Sequence, residues 1–376
     1  MIPGLDGIRA IGLMMVVDFH AGGLQEFGGT IQAFFVLSGF LITGILLRMK
    51  ESLPRNQFFG KFYGRRFLRI FPLYYLYLFI LVLLIWQSDL IFIKQLRGQI
   101  ESFVLPQIGY SFTYTFNFRY ASAWLQDTPF LTHFWTLSVE EQFYLIWPVL
   151  IFFTPKEKLK GLFLGIIIAA PIFRLATYLV ASSRLFPTLF DDPYRAVFGM
   201  TFSHIDAFTF GAYITTFSFP QARKQLTVLA IALPVIGYVT QYFHYGAIAW
   251  NTFGYEFEFI SGYKFVWGYT AVNYFFALFI QNVVQNGLFL RVLDHPILRY
   301  LGKISYGLYV YQYPCIWIIT LFRPKYKLII TDPTLESVFL FVAGLALTVL
   351  VGSISYHLFE KPINDLKDRF FPVHTA

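Results

Sequence analysis

Charged residues are scarce in this chain, and that scarcity indicates its class. Asp, Glu, Lys and Arg make up 13% of the 376 residues, whereas the apolar types AVILMFWYC make up 57%. An ordinary soluble domain contains about 25% charged residues. So few charges cannot cover a water-exposed surface, and the mean hydropathy of +0.58 favours a chain whose outer surface faces lipid. This composition excludes a disordered chain, a collagen-like chain and a soluble nucleic-acid-binding protein.

Several catalytic and metal-binding signatures are also missing. Cysteine occurs once, at Cys315, which excludes disulfides within the chain and any cysteine-based metal site. The seven histidines show no metal-ligand spacing and no HExxH motif occurs, so we expect no metal. The sequence lacks the GxSxG nucleophile elbow, the GxGxxG motif and a complete GxxxxGKS phosphate loop. No secretory signal with a cleavage site begins the chain, so we expect the first apolar segment to remain as a membrane span.

Long apolar segments are abundant. A hydrocarbon core of about 30 Å requires about 20 apolar residues of helix per crossing. By that criterion the sequence predicts an all-α, polytopic transmembrane bundle of about ten spans, in a single domain over residues 1–376. The spans are predicted at 5–25, 29–48, 67–87, 133–153, 160–181, 199–219, 226–246, 262–284, 303–322 and 335–358. The segment 100–118 is also aromatic, but it contains Glu101, Gln107, Asn117 and a proline.

The basic loops predict the orientation of the chain. The 48–69 connection has many Lys and Arg residues against a single Glu, which predicts that it is cytoplasmic. The connections at 154–160, 220–225 and 285–303 are also basic, and they share that side only if 100–118 does not cross. We therefore expect 100–118 to be re-entrant or interfacial, and both termini, including the short tail after Glu360, to be cytoplasmic. The positive-inside rule thus explains the net charge of +8 without a nucleic-acid partner.

One basic loop does not fit this orientation. Arg323, Lys325 and Lys327 fall on the outer side of the membrane. They either violate the positive-inside rule locally or serve an anionic acceptor on that face.

Ionisable residues within predicted spans are costly, so each is a functional hypothesis. In the first span Asp6, Arg9 and His20 are separated by sums of three- and four-residue steps, so they share one face of the predicted helix. A histidine in such a bundle is more often a hydrogen-bonded structural group. A neutral imidazole can nevertheless abstract a hydroxyl proton near neutral pH. Asp18 lies on another face, and we expect it to pair with another helix.

Two later spans contain carboxylates. Glu140 and Tyr144 lie four residues apart on one helical face, a pattern that fits a structural ion-pair site, a proton relay or a catalytic acid. Asp206 requires a cation, for which Arg9 and Arg174 are the candidates. We expect that pair to be architectural.

Three arginines stand at the start of the third span. Arg65, Arg66 and Arg69 either anchor this span at the cytoplasmic surface or bind phosphate. The second interpretation follows from the guanidinium group, which matches a phosphate group bidentately.

Seven segments, in this order, resemble the acyltransferase 3 family of integral-membrane O-acyltransferases. They are GLDGIRAIGLMMVVDFH at 4–20, FFVLSGFLITGILL at 34–47, FYGRRFLRIFPLYY at 62–75, FWTLSVEEQFYLIWP at 134–148, HIDAFTFGAYI at 204–214, LGKISYGLYVYQYP at 301–314 and FEKPI at 359–363. The resemblance implies about ten helices in the inner (plasma) membrane, and a cytoplasmic acetyl-CoA or other acyl-CoA as donor. It also implies no permanently bound cofactor and a saccharide hydroxyl, usually of a cell-envelope glycan, as acceptor.

The resemblance also implies roles for individual residues. The implied catalytic residues are His20, Arg9, Glu140 and Tyr144, and the implied donor-binding residues are Arg66 and Arg69, with Arg65 beside them. Three positions depart from the family pattern. Thr136 stands where serine is frequent, Asp18 where an apolar residue is usual, and Gln312 where histidine is common. A role that needs a second imidazole at position 312 therefore cannot be inherited.

Two classes of function remain open on the sequence. In a membrane O-acyltransferase, Arg66 and Arg69 would hold donor phosphates while His20 deprotonates the acceptor or carries the acyl group. A proton-coupled carrier would also keep His, Asp and Glu in its spans, but it predicts paired helix interruptions that the sequence lacks. A membrane scaffold would leave the charged row of the first span unexplained. We expect the acyltransferase, acting on a lipid-linked or growing surface polysaccharide.

Overall fold

Helices form almost all of the structure. The computed structural model describes residues 2–23, 29–86, 98, 100–183, 185–186 and 188–373, and no strand occurs in these ranges. The principal helices are α1 (Leu5–His20), α2 (Thr30–Ser52), α3 (Arg55–Trp86), α4 (Phe134–Phe153), α5 (Lys156–Ser182), α6 (Ile205–Thr216), α7 (Ala222–Tyr245), α8 (Lys264–Asn286), α9 (Ser305–Thr320), α10 (Pro333–Ser355) and α11 (Lys361–Phe370). The predicted all-α class and helix-bundle architecture are confirmed.

The predicted spans correspond to helices α1 to α10. Five stretches are long and apolar enough to cross a membrane: α2, α3 up to Leu84, α5, α7 and the run Pro333–Phe370. The remaining predicted spans are shorter or more polar. For example, α6 has 12 residues, while α1 and α9 have 16 each. The count of ten crossings stays a prediction.

The helices described nearest to the two ends of the chain, the start of α1 and the end of α11, lie at one end of the bundle, which we call the inner end. Near the start of the chain, the backbone of Asp6 packs against Gly302. Near its other end, Phe371 accepts a hydrogen bond from Arg65, close to the start of α3. The opposite, outer end contains His20 at the end of α1. The cytoplasmic location of both termini stays a prediction.

The segment 100–118 does not form one continuous helix. It is broken into Ile100–Val104, Leu105–Gln107, Ile108–Phe112 and Phe116–Tyr120, none longer than five residues. The Gln107 side chain donates to the carbonyl of Gln126, before α4 begins. The Tyr114 carbonyl instead accepts from Gln142 at 2.8 Å, about 12 Å along α4. Gln142 thus supplies a bond that the buried backbone of this segment requires, and its placement as a re-entrant or interfacial segment stays a prediction.

Helices α2 and α6 pack backbone to backbone. A Cβ atom added at Gly39 would lie 1.9 Å from the carbonyl oxygen of Phe208. A Cβ atom added at Gly211 would lie 1.9 Å from the carbonyl oxygen of Val36. Only glycine permits this approach, which is the way helices associate closely where lipid gives no hydrophobic driving force.

A buried ion pair joins α5, α6 and α8. Arg174 and Asp206 are fully buried and form two parallel contacts of 3.1 Å each. Arg174 also donates to the Ser203 carbonyl at 2.6 Å, and Asp206 accepts from Thr270 at 2.6 Å and from Asn273 at 3.1 Å. Of the two cations proposed for Asp206, Arg174 is the partner. The pair is internally satisfied, which fits the architectural role expected for it, and that role stays a prediction.

Candidate active site

Arg9 and His20 lie on the same helix but at different levels of the bundle. Arg9 pairs with Asp6 at 2.6 Å, at the inner end. His20 follows eleven residues later, about 16 Å along α1. Arg9 is instead close to Arg69 and Tyr144. The shared helical face therefore carries two separate sites, and the structure does not bring Arg9 to His20.

Helix α9 holds His20 in one orientation at the outer end. His20 Nδ1 lies 2.8 Å from Oε1 of Gln312. With the amide oxygen of Gln312 facing the ring, Nδ1 is the donor of this bond and Nε2 retains a lone pair. The Tyr313 ring stacks on the imidazole, with centroids 4.2 Å apart and planes 13° apart. Thus Gln312 and Tyr313 of α9 together hold the His20 ring, and this arrangement leaves Nε2 able to accept a proton.

The His20 side chain lines a cavity of about 420 Å³. Its aromatic lining residues are Phe19, Tyr120, Trp135, Phe257, Tyr309 and Tyr313, and its polar ones include Asp127, Thr132, His133, Thr136 and Arg195. Aromatic surface with a few polar groups is typical of a small-molecule site, where the polar groups fix the orientation of the ligand. The cavity therefore has the size and chemistry to hold an acceptor beside the imidazole.

Glu140 and Tyr144 meet as the helical spacing predicts. The Tyr144 hydroxyl donates to Oε1 of Glu140 at 2.5 Å, and the Ser38 hydroxyl of α2 donates to the same oxygen. The guanidinium group of Arg66 lies over the Tyr144 ring, 5.6 Å from its centroid. Ser38 was not among the candidate residues predicted from the sequence, although it lies within the segment 34–47 that resembles the acyltransferase 3 family. The catalytic role of Glu140 and Tyr144 stays a prediction.

The three neighbouring arginines of α3 have different surroundings. Arg65 donates to the Phe371 carbonyl at 2.9 Å and pairs with Asp368 at 2.8 Å, so it attaches α11 to α3. Within the part of the chain that the structure describes, no hydrogen bond or ion pair engages Arg66 or Arg69. The donor-binding role stays a prediction for all three. The geometry favours Arg66 and Arg69, because their donors are available to an anion.

A row of polar side chains on α4 connects the cavity with these arginines. Thr136, Glu140 and Tyr144 recur every four residues and therefore lie on one face. Thr136 lines the cavity, with its Oγ1 2.6 Å from the Tyr309 hydroxyl, whereas Tyr144 contacts Arg66. This row spans about 12 Å along the helix axis. The outer cavity and the inner arginines are thus two ends of one polar path.

The basic loop at 323–327 has an internal partner. Arg323 Nε lies 2.8 Å from Glu336 Oε1, and Lys327 Nζ lies 2.6 Å from Oε2 of the same carboxylate. Glu336 stands in the first turn of α10. This carboxylate offsets one of the two positive charges, so both interpretations of the loop, a local exception to the positive-inside rule or a site for an anionic acceptor, stay predictions.

Comparisons with known proteins place the chain among acyltransferases. The acyltransferase domain family matches residues 2–354. The peptidoglycan O-acetyltransferase OatA of Listeria monocytogenes is 29% identical, over 96% of this chain and 56% of that protein. The putative peptidoglycan O-acetyltransferase YrhL of Bacillus subtilis is 29% identical, over 98% of this chain and 56% of that protein. The O-acetyltransferase OatA of Staphylococcus aureus is 27% identical, over 96% of this chain and 57% of that protein. The chain thus spans a little over half the length of these relatives, and no solved structure matches it.

Proposed function

Because the chain belongs to the acyltransferase 3 family, we propose that it is an integral-membrane O-acyltransferase. It takes an acetyl or other acyl group from a cytoplasmic acyl-CoA and transfers it to a saccharide hydroxyl. The acceptor is a cell-surface polysaccharide or its lipid-linked precursor, and the inner (plasma) membrane is the site of action. The relatives named as peptidoglycan O-acetyltransferases support both the reaction class and a cell-envelope acceptor.

The observation that carries this proposal is the alignment of two sites along the bundle. Arg9, which is close to Arg69, and His20 are about 16 Å apart along α1. The pantetheine arm of CoA has about twelve bonds between its phosphate oxygen and its sulfur, as many as about four residues of backbone. Its extended length is therefore about 14 Å. A donor whose phosphates bind Arg66 and Arg69 brings its thioester close to the imidazole.

The proton on the acceptor hydroxyl goes to Nε2 of His20. As it leaves, the hydroxyl oxygen attacks the thioester carbonyl and the bond to sulfur breaks. The CoA thiolate then takes the proton from the imidazolium, so the histidine is restored. Throughout the step, Gln312 accepts the hydrogen bond from Nδ1 and holds the ring in place. In the covalent alternative the same Nε2 atom carries the acyl group first.

The other implied catalytic residues lie nearer the donor. Arg9, Glu140 and Tyr144 surround Arg66 and Arg69 at the inner end. We assign them to the donor side of the site and not to contact with the acceptor. In this assignment His20 alone performs the proton transfer.

Replacing His20 with asparagine tests the mechanism. An asparagine amide can donate to Gln312 as Nδ1–H does, but it has no counterpart of Nε2. We expect His20→Asn to bind acetyl-CoA and to unfold like the wild type, while acetyl transfer falls about 10²–10⁴-fold through loss of the general base. All three quantities are measured on the same detergent-purified variant, with radiolabelled acetyl-CoA and the disaccharide repeat of peptidoglycan.

Near-normal transfer by a stable His20→Asn protein would remove the catalytic assignment. Parallel loss of stability and activity would show a structural histidine. Radiolabelled acetyl trapped on the wild-type protein without acceptor would select the covalent route.

A further inference from the structure

A second imidazole lines the cavity that contains His20. His133, the residue before α4, is 3% exposed and forms part of the cavity wall. Its ring centroid lies 6.0 Å from that of Tyr313, the same ring that stacks on His20. The two imidazoles therefore share one aromatic neighbour and one cavity. The proposed reaction gives His133 no role.

The hydrogen bond of His133 fixes its tautomer. Nε2 lies 3.1 Å from the backbone carbonyl oxygen of Val310, on α9. A carbonyl oxygen only accepts, so Nε2 carries the proton and the neutral ring keeps a lone pair on Nδ1. That Nδ1 atom is buried, and no residue in the described ranges bonds to it. An unpaired buried acceptor is uncommon and costly, so a ligand that donates a hydrogen bond at this position removes a penalty.

We propose that Nδ1 of His133 binds a second hydroxyl group of the sugar whose first hydroxyl is deprotonated by His20. This inference rests on the proposed function and adds a requirement on the substrate. The acceptor sugar must carry two hydroxyls, one that reacts and one that is held. His133 accepts a hydrogen bond and stays neutral, so no proton is transferred to it. The held hydroxyl determines which position of the ring faces Nε2 of His20.

A second unpaired group in the cavity wall fits the same ligand. Arg195 pairs with Asp191 and donates to the Ser122 carbonyl at 3.1 Å, but its Nε–H is buried without a bonded acceptor in the described ranges. Besides Nε2 of His20, two of the described residues of the cavity wall thus have a buried unpaired atom, the acceptor Nδ1 of His133 and the donor Nε of Arg195. A sugar hydroxyl is both a donor and an acceptor, so a hydroxyl-rich ring satisfies both groups. Trp135 and other aromatic side chains form the apolar part of the same wall.

Two substitutions test the roles of the two ring nitrogen atoms of His133 one at a time. His133→Gln places an amide N–H near the position of Nε2, keeping the bond to Val310, and removes the acceptor at Nδ1. His133→Asn does the reverse, because its shorter side chain places an amide oxygen near the position of Nδ1. Loss of one neutral hydrogen bond lowers an equilibrium or rate constant by about two- to tenfold. We expect that loss in kcat/KM for the acceptor in His133→Gln, with donor affinity and Tm unchanged, whereas His133→Asn has a lower Tm but retains more transfer per folded molecule.

Deoxy sugars identify the contact. The probes are the disaccharide repeat of peptidoglycan and its monodeoxy forms, with acetyl-CoA as donor. For the wild type, removing the held hydroxyl lowers kcat/KM about two- to tenfold, and in His133→Gln the same removal has no further effect. Equal sensitivity of the two proteins to every deoxy sugar would overturn the inference, as would wild-type kinetics in His133→Gln. Absence of transfer by the wild type to any of these saccharides would overturn the proposed function, and the inference with it.

Discussion

Substitution of Arg66 tests donor binding sharply because the adjacent Arg65 is a matched control. Arg66→Met removes a guanidinium group that bonds to no acceptor in the residues described, while the methionine stem keeps part of the packing against Tyr144. Arg69→Met removes the second such group. Arg65→Met removes a guanidinium group that is already bonded to Asp368.

The expected loss follows from the kind of contact removed. A hydrogen bond to a charged group contributes about 1.5–3 kcal/mol, so each of the first two substitutions should weaken acyl-CoA binding roughly 10- to 150-fold. Arg65→Met should leave donor affinity near that of the wild type. Its ion pair is partly exposed, with 27% of the Arg65 side chain and 69% of the Asp368 side chain accessible. Its loss should therefore cost only about 0–1 kcal/mol of stability.

Calorimetric titration of the purified proteins measures these affinities. Acetyl-CoA, 3′-dephospho-CoA and pantetheine form a ligand series with decreasing numbers of phosphates. We expect the difference between wild type and Arg66→Met to disappear with pantetheine, which has none. Equal weakening by Arg65→Met and Arg66→Met, or an undiminished difference with pantetheine, would refute phosphate binding by Arg66.

Two further predictions concern stability. Asp206→Ala leaves Arg174 as an uncompensated buried charge, so we expect a loss of about 3–5 kcal/mol, and Asp206→Leu combined with Arg174→Met should recover most of it. Thermal unfolding in detergent compares these variants, and equal unfolding temperatures for the single and double variants would contradict the prediction. Burial raises the pKa of Glu258, in the loop before α8, to about 7. The folded protein therefore holds this proton more tightly than the unfolded chain, and its stability should fall as the pH rises from about 4.5 to 7, by up to about 3 kcal/mol. Glu258→Gln should remove this pH dependence of the free energy of unfolding. If that variant keeps the same dependence on pH as the wild type, Glu258 is not its origin.

The sequence predicted most reliably those helices that a single property of the segment is enough to identify. Long apolar runs predicted α2, α3, α5, α7 and α10, because a helix exposed to lipid requires only length and apolar side chains. The two carboxylates of Asp206 and Glu140 were recognisable as groups that need a partner inside the bundle. Arg174 could not be chosen over Arg9 from the sequence, since the choice depends on which helices are neighbours.

The site contacts depend on residues far apart in the chain. Gln312, which holds the His20 ring, is 292 residues away from it, so its replacement of a common histidine could be noticed but not interpreted. Arg65 and Arg66 are adjacent and chemically identical. Successive side chains point about 100° apart around a helix, so only one of them meets the C-terminal helix at Asp368.

The glycine contact between α2 and α6 bears on how the chain is assembled during synthesis. Gly39 leaves the ribosome long before Gly211, so the face of α2 that receives α6 stays uncovered while the intervening helices enter the membrane. With 12 residues, α6 is about 18 Å long, which is too short to cross the hydrocarbon core without partners. Helix α6 must therefore pack against helices that are already in the membrane. A nascent chain arrested before Gly211 therefore leaves the Gly39 face of α2 without the helix that covers it in the finished bundle.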